Sequence, residues 1–363
     1  MKINLIFFLS NFTHGGGGNS ITRLCANLDK KIYNITLVSI GKNAYRKIIS
    51  QKNVKFLELK QNRLIFSIFN LYQNVKKILN KNQKNIFVSN IHYNNVVSLL
   101  LFRKLKNLKL IIVERTPIEE LDINFSFKEL IKKKIIKFLV KKIYIYSDLI
   151  IANSNGIKKG LNKIISKKVK VIYPPSINKI NLKIRKREKV KYITSISRLS
   201  YEKDIICIIN AFKKLKNLKV VLNIFGEGPE KNKIINQIKN NKLEKNIFLR
   251  GHANNPNKIL KHSDLYISSS IFEGCGNSII EAINNSNIIL CSNCPGGNSE
   301  IILNGKGGVF FKTSNSDDLA NKMQLIFNNP KKYFKKTYLA KKALKRFKLR
   351  NNVEMYNNIF LTI

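Results

Sequence analysis

Three features of the sequence predict two doubly wound α/β domains. The chain has 363 residues, more than the roughly 100–200 residues of one domain. Apolar runs alternate with segments of helical period in two successive series, the pattern of mainly parallel sheets covered on both faces. Between the series, around Tyr173-Pro174-Pro175, the alternation stops, and the stretch up to Lys189 is polar, basic and aperiodic, as a linker is. The expected organisation is an N-terminal domain over 1–175, a linker over 176–189, a C-terminal domain over 190–345 and a terminal segment over 346–363.

In the first series, strands are expected near 2–9, 33–40, 54–58, 85–89, 108–114 and 148–152, with helices near 19–29, 65–80, 126–146 and 154–164. Strands buried on both faces read as near-continuous apolar runs. The opening run, MKINLIFFLS, resembles a signal peptide but ends at Asn11 without a small-residue cleavage site, so it reads as a buried first strand. The second series places strands near 190–197, 219–225, 246–250, 264–270 and 287–292, and helices near 204–216, 230–241, 255–262 and 277–285. Lys-rich helical segments fill 315–362. No apolar stretch reaches the roughly 20 residues of a membrane span, so any membrane contact is expected to be peripheral. Ligands of such sheets bind beyond the carboxyl ends of the strands.

The charge is strongly basic: 67 Lys and Arg against 21 Asp and Glu give +46. That excess fits an anionic partner, but Lys, Asn and Ile dominate throughout, as AT-biased codons produce. No RNA-stacking motif, zinc-finger spacing or helix-turn-helix signature accompanies it, so nucleic acid is not an expected partner. Five cysteines are sparse and odd in number, which fits a reducing, cytoplasmic compartment. Cys291 and Cys294 have CxxC spacing without a second ligand pair, and Pro295-Gly296-Gly297 follows instead of a helix; the pair reads as incidental.

Four segments carry candidate chemistry. After the first strand, His14-Gly15-Gly16-Gly17-Gly18-Asn19 opens a helix, where bare backbone N–H groups approach an anion closely. Its spacing is not GxGxxG, and the second strand ends in Val38-Ser39-Ile40 without an acid, which disfavours a nicotinamide cofactor. Arg198 and Lys203, at a strand-to-helix junction, are placed to hold a diphosphate from two sides. Gly226-Glu227-Gly228-Pro229 ends the next strand and reads either as a glycine turn or as a ligand contact. Most informative is Glu273-Gly274-Cys275-Gly276-Asn277-Ser278-Ile279-Ile280-Glu281, a small-residue loop entering a helix whose N-terminus offers backbone donors. Each glutamate suits a vicinal diol, because a carboxylate accepts two hydrogen bonds.

These residues resemble the retaining glycosyltransferases of family 4. The resemblance rests on the Glu273 to Glu281 spacing, Phe272 through Ala282, Cys294-Pro295-Gly296-Gly297-Asn298-Ser299-Glu300-Ile301, Ser197-Arg198-Leu199 with Lys203, Gly226 through Pro229, Asn153-Ser154 and Val171 through Pro174. They occur in the expected order over nearly the whole chain. The resemblance implies the GT-B fold: two Rossmann-like domains facing a central cleft, acceptor on the first, nucleotide-sugar on the second, and a final helix crossing back. Carried over by position, Arg198 and Lys203 meet the donor diphosphate, Glu281 the ribose, and Glu273 with the backbone of Gly274, Cys275, Gly276 and Asn277 the donor sugar. Ser278 and Gly226 complete the donor-binding set, Gly16 and Gly17 close over the phosphates, and the 250–254 loop lies near the base.

Two departures stand out: Gly18-Asn19-Ser20 replaces the usual small residue and Glu-Arg, and Cys275 replaces a frequent bulky residue. The family's front-face substitution, in which the leaving phosphate takes the acceptor's proton, implies no metal and no resident cofactor; the sequence has no Asp-x-Asp pair. His92 is a candidate catalytic or acceptor contact beside Arg198, Lys203 and Glu273; Glu114 and Arg115 end a strand and are candidate acceptor contacts. Phe127, Leu130, Ile131, Ile135, Phe138 and Leu139 form an apolar stripe beside Lys132, Lys133, Lys134, Lys137, Lys141 and Lys142. It reads either as an ordinary core helix or as a face resting on anionic lipid at the inner side of the cytoplasmic membrane.

The expected activity is retaining transfer of a hexose from a nucleotide diphosphate-sugar to a lipid-linked or surface-glycan acceptor. The alternatives are a GT-B epimerase or synthase acting on a soluble phosphorylated acceptor, or a non-catalytic protein binding anionic polymers.

Overall fold

The computed structural model describes residues 2–12, 15–41, 44–59, 61, 64–123, 126–181, 189–215 and 219–363. His14 and most of the expected linker, 182–188, lie outside the described residues. The chain forms two compact units: Met1–Pro175 together with Leu349–Ile363, and Ser176–Lys348.

The first unit has seven parallel strands: β1 (Ile3–Phe8), β2 (Tyr33–Ser39), β3 (Lys55–Glu58), β4 (Asn85–Asn90), β5 (Lys109–Glu114), β6 (Leu149–Ala152) and β7 (Val169–Val171). Their order is β3-β2-β1-β4-β5-β6-β7, so the connections reverse direction between β1 and β4. Leu5 pairs with Ile35 on one side and Ile86 on the other. Alternation along the strands then supplies both faces. Ile6, Phe8, Val38 and Phe87 pack with α3 (Ile68–Ile78), α4 (His92–Phe102), α5 (Phe127–Ile143) and α6 (Asn155–Leu161). Leu5, Phe7, Leu37 and Val88 pack with α1 (Gly16–Asn27), α2 (Arg46–Ser50) and the C-terminal helix Leu349–Thr362. That last helix buries Tyr356, Ile359 and Phe360. Its Phe360 ring meets Phe7 edge-on at 6.0 Å, and Tyr33 donates its hydroxyl to Asn357 Oδ1 at 2.7 Å.

The second unit has six strands: β8 (Tyr192–Ile196), β9 (Val221–Phe225), β10 (Ile247–Leu249), β11 (Leu265–Ser268), β12 (Ile288–Ser292) and β13 (Val309–Phe311). All are parallel, in the order β10-β9-β8-β11-β12-β13, with the reversal between β8 and β11. Ile193, Leu222, Leu265 and Leu290 form one core with α7 (Ile205–Lys213), α8 (Lys231–Asn240) and α12 (Ser316–Asn328). On the other face lie α9 (Pro256–Lys261), α10 (Asn277–Asn284) and α13 (Pro330–Lys342), over the buried Tyr266, Ile289 and Cys291. The short α11 spans Asn298–Ile301.

Four differences from the sequence reading have local causes. First, α4 was expected as no helix: it buries Asn94, Asn95, Val96, Ser98, Leu99 and Phe102 and lacks the polar face that marks a helix in sequence. Second, β7 and β13, three residues each, are shorter than an apolar run that periodicity detects. Third, α1 starts at Gly16, not near 19, so Gly16, Gly17 and Gly18 form its first turn. Fourth, Ala343–Phe347 is a 3-10 turn of the second unit that buries Leu344 and Phe347, and the returning segment starts at Leu349 instead of 346. Residues 176 and 177, placed in the linker by sequence, also pack there, with Ser176 N–H and Ile177 N–H both donating to the Phe347 carbonyl at 3.2 Å.

Candidate active site

In the second unit, the candidate residues gather where the sheet reverses between β8 and β11, the place where an open parallel sheet leaves a crevice at its carboxyl edge. The loop after β8 carries Arg198 and Lys203; the loop after β11 carries Glu273 and leads into α10. Three contacts join these loops. The Lys203 ammonium is ion-paired to Glu273 Oε2, Ser269 Oγ donates to the Lys203 carbonyl at 2.6 Å, and Ile271 N–H donates to the Glu202 carbonyl at 2.8 Å. Burial by itself lowers the Lys203 pKa, but the Glu273 carboxylate, with Glu202 adding, outweighs it and holds Lys203 above its ordinary value. Lys203 therefore stays cationic.

Glu273 is held from three sides. Ser270 Oγ donates to its carboxylate at 3.1 Å, its N–H donates to the Pro295 carbonyl at 3.1 Å, and its carbonyl accepts from Gly297 N–H at 3.0 Å. The Cys294–Ile301 motif thus serves as a backbone splint for the Glu273 loop. Arg198 is exposed, and among the described residues its side chain has no hydrogen bond or ion pair. Gly274, Cys275 and Gly276 are buried, and α10 begins at Asn277 with no side-chain cap from Gly276. Its first-turn N–H groups therefore have no intrahelical acceptor. Glu281 lies one turn into the same helix. Ser278 shares a 2.7 Å hydrogen bond with the Tyr266 hydroxyl, and Asn277 Oδ1 accepts from Ser176 Oγ at 2.7 Å.

Gly226 and Gly228 are explained by close backbone approach. A Cβ at Gly226, whose φ is +152°, would stand 1.8 Å from the Ser197 carbonyl oxygen, and one at Gly228 would stand 2.2 Å from that of Leu199. Leu199 N–H donates to the Glu227 carbonyl at 3.0 Å, and Glu230 N–H donates to the Leu199 carbonyl at 2.9 Å. Of the two readings of this segment, the geometry accounts for the glycine turn: it presses the Arg198 loop into place. In the 250–254 loop, Arg250 Nε donates to Asn223 Oδ1 at 2.8 Å and its guanidinium covers the Phe248 ring at 4.6 Å.

In the first unit, the reversal between β1 and β4 places the α1 glycines near Arg115. A Cβ on Gly17 would come 3.9 Å from Arg115 Cδ, Arg115 Nε donates to Asn90 Oδ1 at 2.8 Å, and Asn90 Nδ2 donates to the Phe8 carbonyl at 3.1 Å. Gly16 is exposed and Gly17 half-buried. No α1 glycine has a positive φ, so what the glycines provide is a helix end without side chains.

His92 and Glu114, expected at the acceptor, are instead buried and bound to other side chains. His92 Nε2 lies 2.8 Å from Glu120 Oε2, and its Nδ1 lies 3.5 Å from Glu114 Oε2. Burial alone lowers the His92 pKa, but hydrogen bonding to Glu114 and Glu120 raises it to about 9. Glu114 also accepts from Asn95 Nδ2 at 2.8 Å and from the Tyr144 hydroxyl. Glu114 ends one apolar strand and His92 closely follows another, where a polar side chain turned inward and one turned outward look alike in sequence. Lys133, grouped by sequence with the basic face, is likewise buried, 3.0 Å from Glu120 and 3.1 Å from Glu129.

The sequence reading missed the residues that set these geometries: Ser269 and Ser270, which hold Lys203 and Glu273, and Glu120 beneath His92. The run Ser268-Ser269-Ser270 closing a buried strand was the available signal for the first two.

With this geometry in view, similarity to known proteins is informative. Residues 176–346 match the family model of glycosyl transferases group 1, and this part of the chain belongs to that family. The chain is 28% identical over 258 residues to the N-acetylgalactosamine-N,N'-diacetylbacillosaminyl-diphospho-undecaprenol 4-alpha-N-acetylgalactosaminyltransferase of Campylobacter jejuni, spanning 65% of this chain and 69% of that one. It is 33% identical over 141 residues to the poly(ribitol-phosphate) alpha-N-acetylglucosaminyltransferase of Staphylococcus aureus, 38% of this chain and 29% of that one. The fold matches Anabaena Alr3699/HepE, solved in complex with UDP and glucose, with a TM-score of 0.80 at 16% identity over 99% of this chain and 100% of that one. The architecture is GT-B, two Rossmann-like domains, and the glycosyl transferases group 1 match covers the second of them.

Proposed function

We propose that the protein is a retaining, metal-independent glycosyltransferase that moves a hexose from a nucleotide diphosphate-sugar to a lipid-linked or surface-polysaccharide acceptor. It works on the cytoplasmic side of the membrane, with no resident cofactor. The observation that carries this reading is the sheet-reversal site of the second unit, where exposed Arg198, cationic Lys203 and the N-terminus of α10 surround one crevice with Glu273 and Glu281 beside it. Two cations and a helix N-terminus suit a diphosphate; the carboxylates suit the hydroxyls of the two sugars that flank it.

In the proposed reaction, the bond from the sugar's anomeric carbon to the diphosphate breaks while the acceptor oxygen bonds to that carbon on the same face. The departing phosphate oxygen takes the acceptor proton, and Arg198, Lys203 and the α10 dipole stabilise the leaving charge. Cations already in place there supply the neutralisation that a metal supplies elsewhere. The Campylobacter relative, whose name specifies an undecaprenol-linked substrate, and the Anabaena structure with UDP support the acceptor and donor classes.

Thermal unfolding with UDP, GDP and ADP tests the donor site first. A nucleotide at about 100 times its dissociation constant adds about 2.7 kcal/mol of stability, and Arg198→Ala removes the shift. Product analysis with the selected nucleotide-sugar and extracted lipid-linked acceptors then reads the anomeric configuration. No shift with any nucleotide and no transfer would overturn the proposal.

A further inference from the structure

The first unit carries an apolar surface that its core does not use. Among the described residues, seventeen large apolar side chains are exposed, and ten of them belong to the α3–α5 layer or the turns that flank it. Four form a stripe along α5: Phe127, Ile131, Ile135 and Phe138, with Phe127 76% and Phe138 58% exposed. At 100° per residue this stripe lies roughly opposite Lys133, Val140 and Ile143, the buried side of the same helix. So α5 is apolar on two faces, only one of which is covered, by α4 and the Ile118–Asp122 turn. The outward apolar character continues through Leu100 of α4, Ile145 and Tyr146 after α5, and Ile65, Phe66 and Phe69 around the start of α3.

The charges that border the α5 stripe itself are basic, while the nearby Asp122 is ion-paired to Lys137. Lys128 and Lys142 border the α5 stripe on one side, Lys134 and Lys141 on the other, and all four are exposed. Lys142 Nζ stands 5.9 Å above the Phe138 ring, and the Arg103 guanidinium 4.8 Å from the Tyr146 ring. Across α3, α4 and α5 the sole acidic residue is Glu129, which is paired to Lys133. An exposed apolar patch of this extent marks an interaction surface. A second copy of the chain would bring the same lysines and its own +46 to the contact, which like-charge repulsion opposes. A bilayer bearing anionic lipids accepts both features: apolar side chains enter the headgroup and acyl boundary, and lysine stems reach the phosphates.

We propose that the outer face of α3, α4 and α5 is a docking surface for an anionic lipid bilayer, with the α5 stripe inserted at the interface. The proposal rests on the lipid-linked acceptor reading for its purpose, while the binding itself stands on the surface described. Of the two sequence readings of the 127–142 stripe, the one that made it an ordinary core stripe fails for Phe127, Ile131, Ile135 and Phe138, and Lys133 drops out of the basic face.

Flotation of the full chain with vesicles of phosphatidylcholine alone, and of phosphatidylcholine mixed with phosphatidylglycerol, tests it. Binding is expected to the mixed vesicles and to be weak on the neutral ones. Replacing Lys134, Lys141 and Lys142 by Glu lowers partitioning by at least about fivefold per position, the factor corresponding to about 1 kcal/mol per near-surface Lys. The triple variant Phe127→Ser, Ile131→Ser, Phe138→Ser abolishes flotation even at low salt. All six positions are exposed, and unchanged circular dichroism and thermal midpoint verify that the variants fold. Failure of the wild type to float with the mixed vesicles would overturn the proposal, as would full binding by the serine variant. A wild-type dimer in sedimentation velocity that the serine variant reduces to monomer would assign the face to self-association and overturn it too. The nucleotide-induced thermal shift is read in parallel on the same variants: its absence counts against the transferase reading and leaves the lipid result standing, and its presence without flotation does the reverse.

Discussion

A Cβ on Gly228 would stand 2.2 Å from one backbone atom of Leu199 and 2.7 Å and 2.9 Å from two others, and backbone cannot swing aside as a flexible side chain can. Gly228→Ala therefore costs about 1–3 kcal/mol, as overpacking does, measured as a lower urea midpoint with unchanged slope. The residue it displaces is next to Arg198, so the same variant also weakens nucleotide binding, which isothermal titration reads. His92 gives a second prediction at this scale. With its pKa raised to about 9 when folded, it contributes stability that is complete below its unfolded value of about 6.5 and is lost as pH rises towards 9. Comparing wild type with His92→Gln by urea unfolding from pH 6 to pH 10 checks the sign: the difference between them is largest at the acid end and shrinks above neutrality. A difference that grew with pH would show that His92 is neutral in the folded chain.

At the scale of elements, the C-terminal helix completes a core that begins with β1. Tyr356, Ile359 and Phe360 are buried with Phe7 and Tyr33, and at about 1.5–3 kcal/mol for each large apolar side chain their loss amounts to several kcal/mol. That is a large share of the 5–15 kcal/mol that holds a typical domain. Deleting 349–363 is expected to leave the first unit partly unfolded, with rapid proteolysis inside 1–175 while 176–348 resists. The α10 element behaves differently, because the nucleotide contact proposed for it is at its end. Gly276 meets Ile279 and Asn298, with a Cβ placed 2.8 Å from Ile279 Cδ1, so Gly276→Ala shifts the first turn of α10 and costs nucleotide affinity more than stability. Titration calorimetry and thermal unfolding on that variant separate the two effects.

The whole molecule is two units with different chain logic. Ser176–Lys348 is continuous and contains its own core, whereas the first unit needs Leu349–Ile363 in addition to Met1–Pro175. Residues 176–348 expressed alone are expected to unfold cooperatively, and 1–175 alone is not; circular dichroism with urea titration reads both. The net charge of +46 also acts at this scale. Self-repulsion opposes the compact state and salt screens it, so the thermal midpoint should rise between low and physiological ionic strength. A flat response would mean that the lysines are spaced too widely to repel one another appreciably.

Periodicity and punctuation along the chain determined the two α/β domains, most strands, the loops that carry Arg198, Lys203 and Glu273, and the helix that carries Glu281, because each of those features is local: a covered parallel strand is an apolar run, and a glycine- or serine-rich turn into a helix is a short motif at its end. What periodicity could not reach was α4, buried nearly all round, and the three-residue β7 and β13, too short to show a period. Only the tertiary structure decided which way a polar side chain faces at a strand's end. His92 and Glu114 turn into a buried network with Glu120, while Arg198 turns out to solvent, and nothing in their neighbours along the chain distinguishes the cases. It also decided that Gly226 packs against the Ser197 backbone and Gly228 against that of Leu199, and that one side of α5 stays uncovered. These outcomes depend on partners far away in sequence, and burial is a property of the assembled sheet and helices rather than of any residue's own neighbours in the chain.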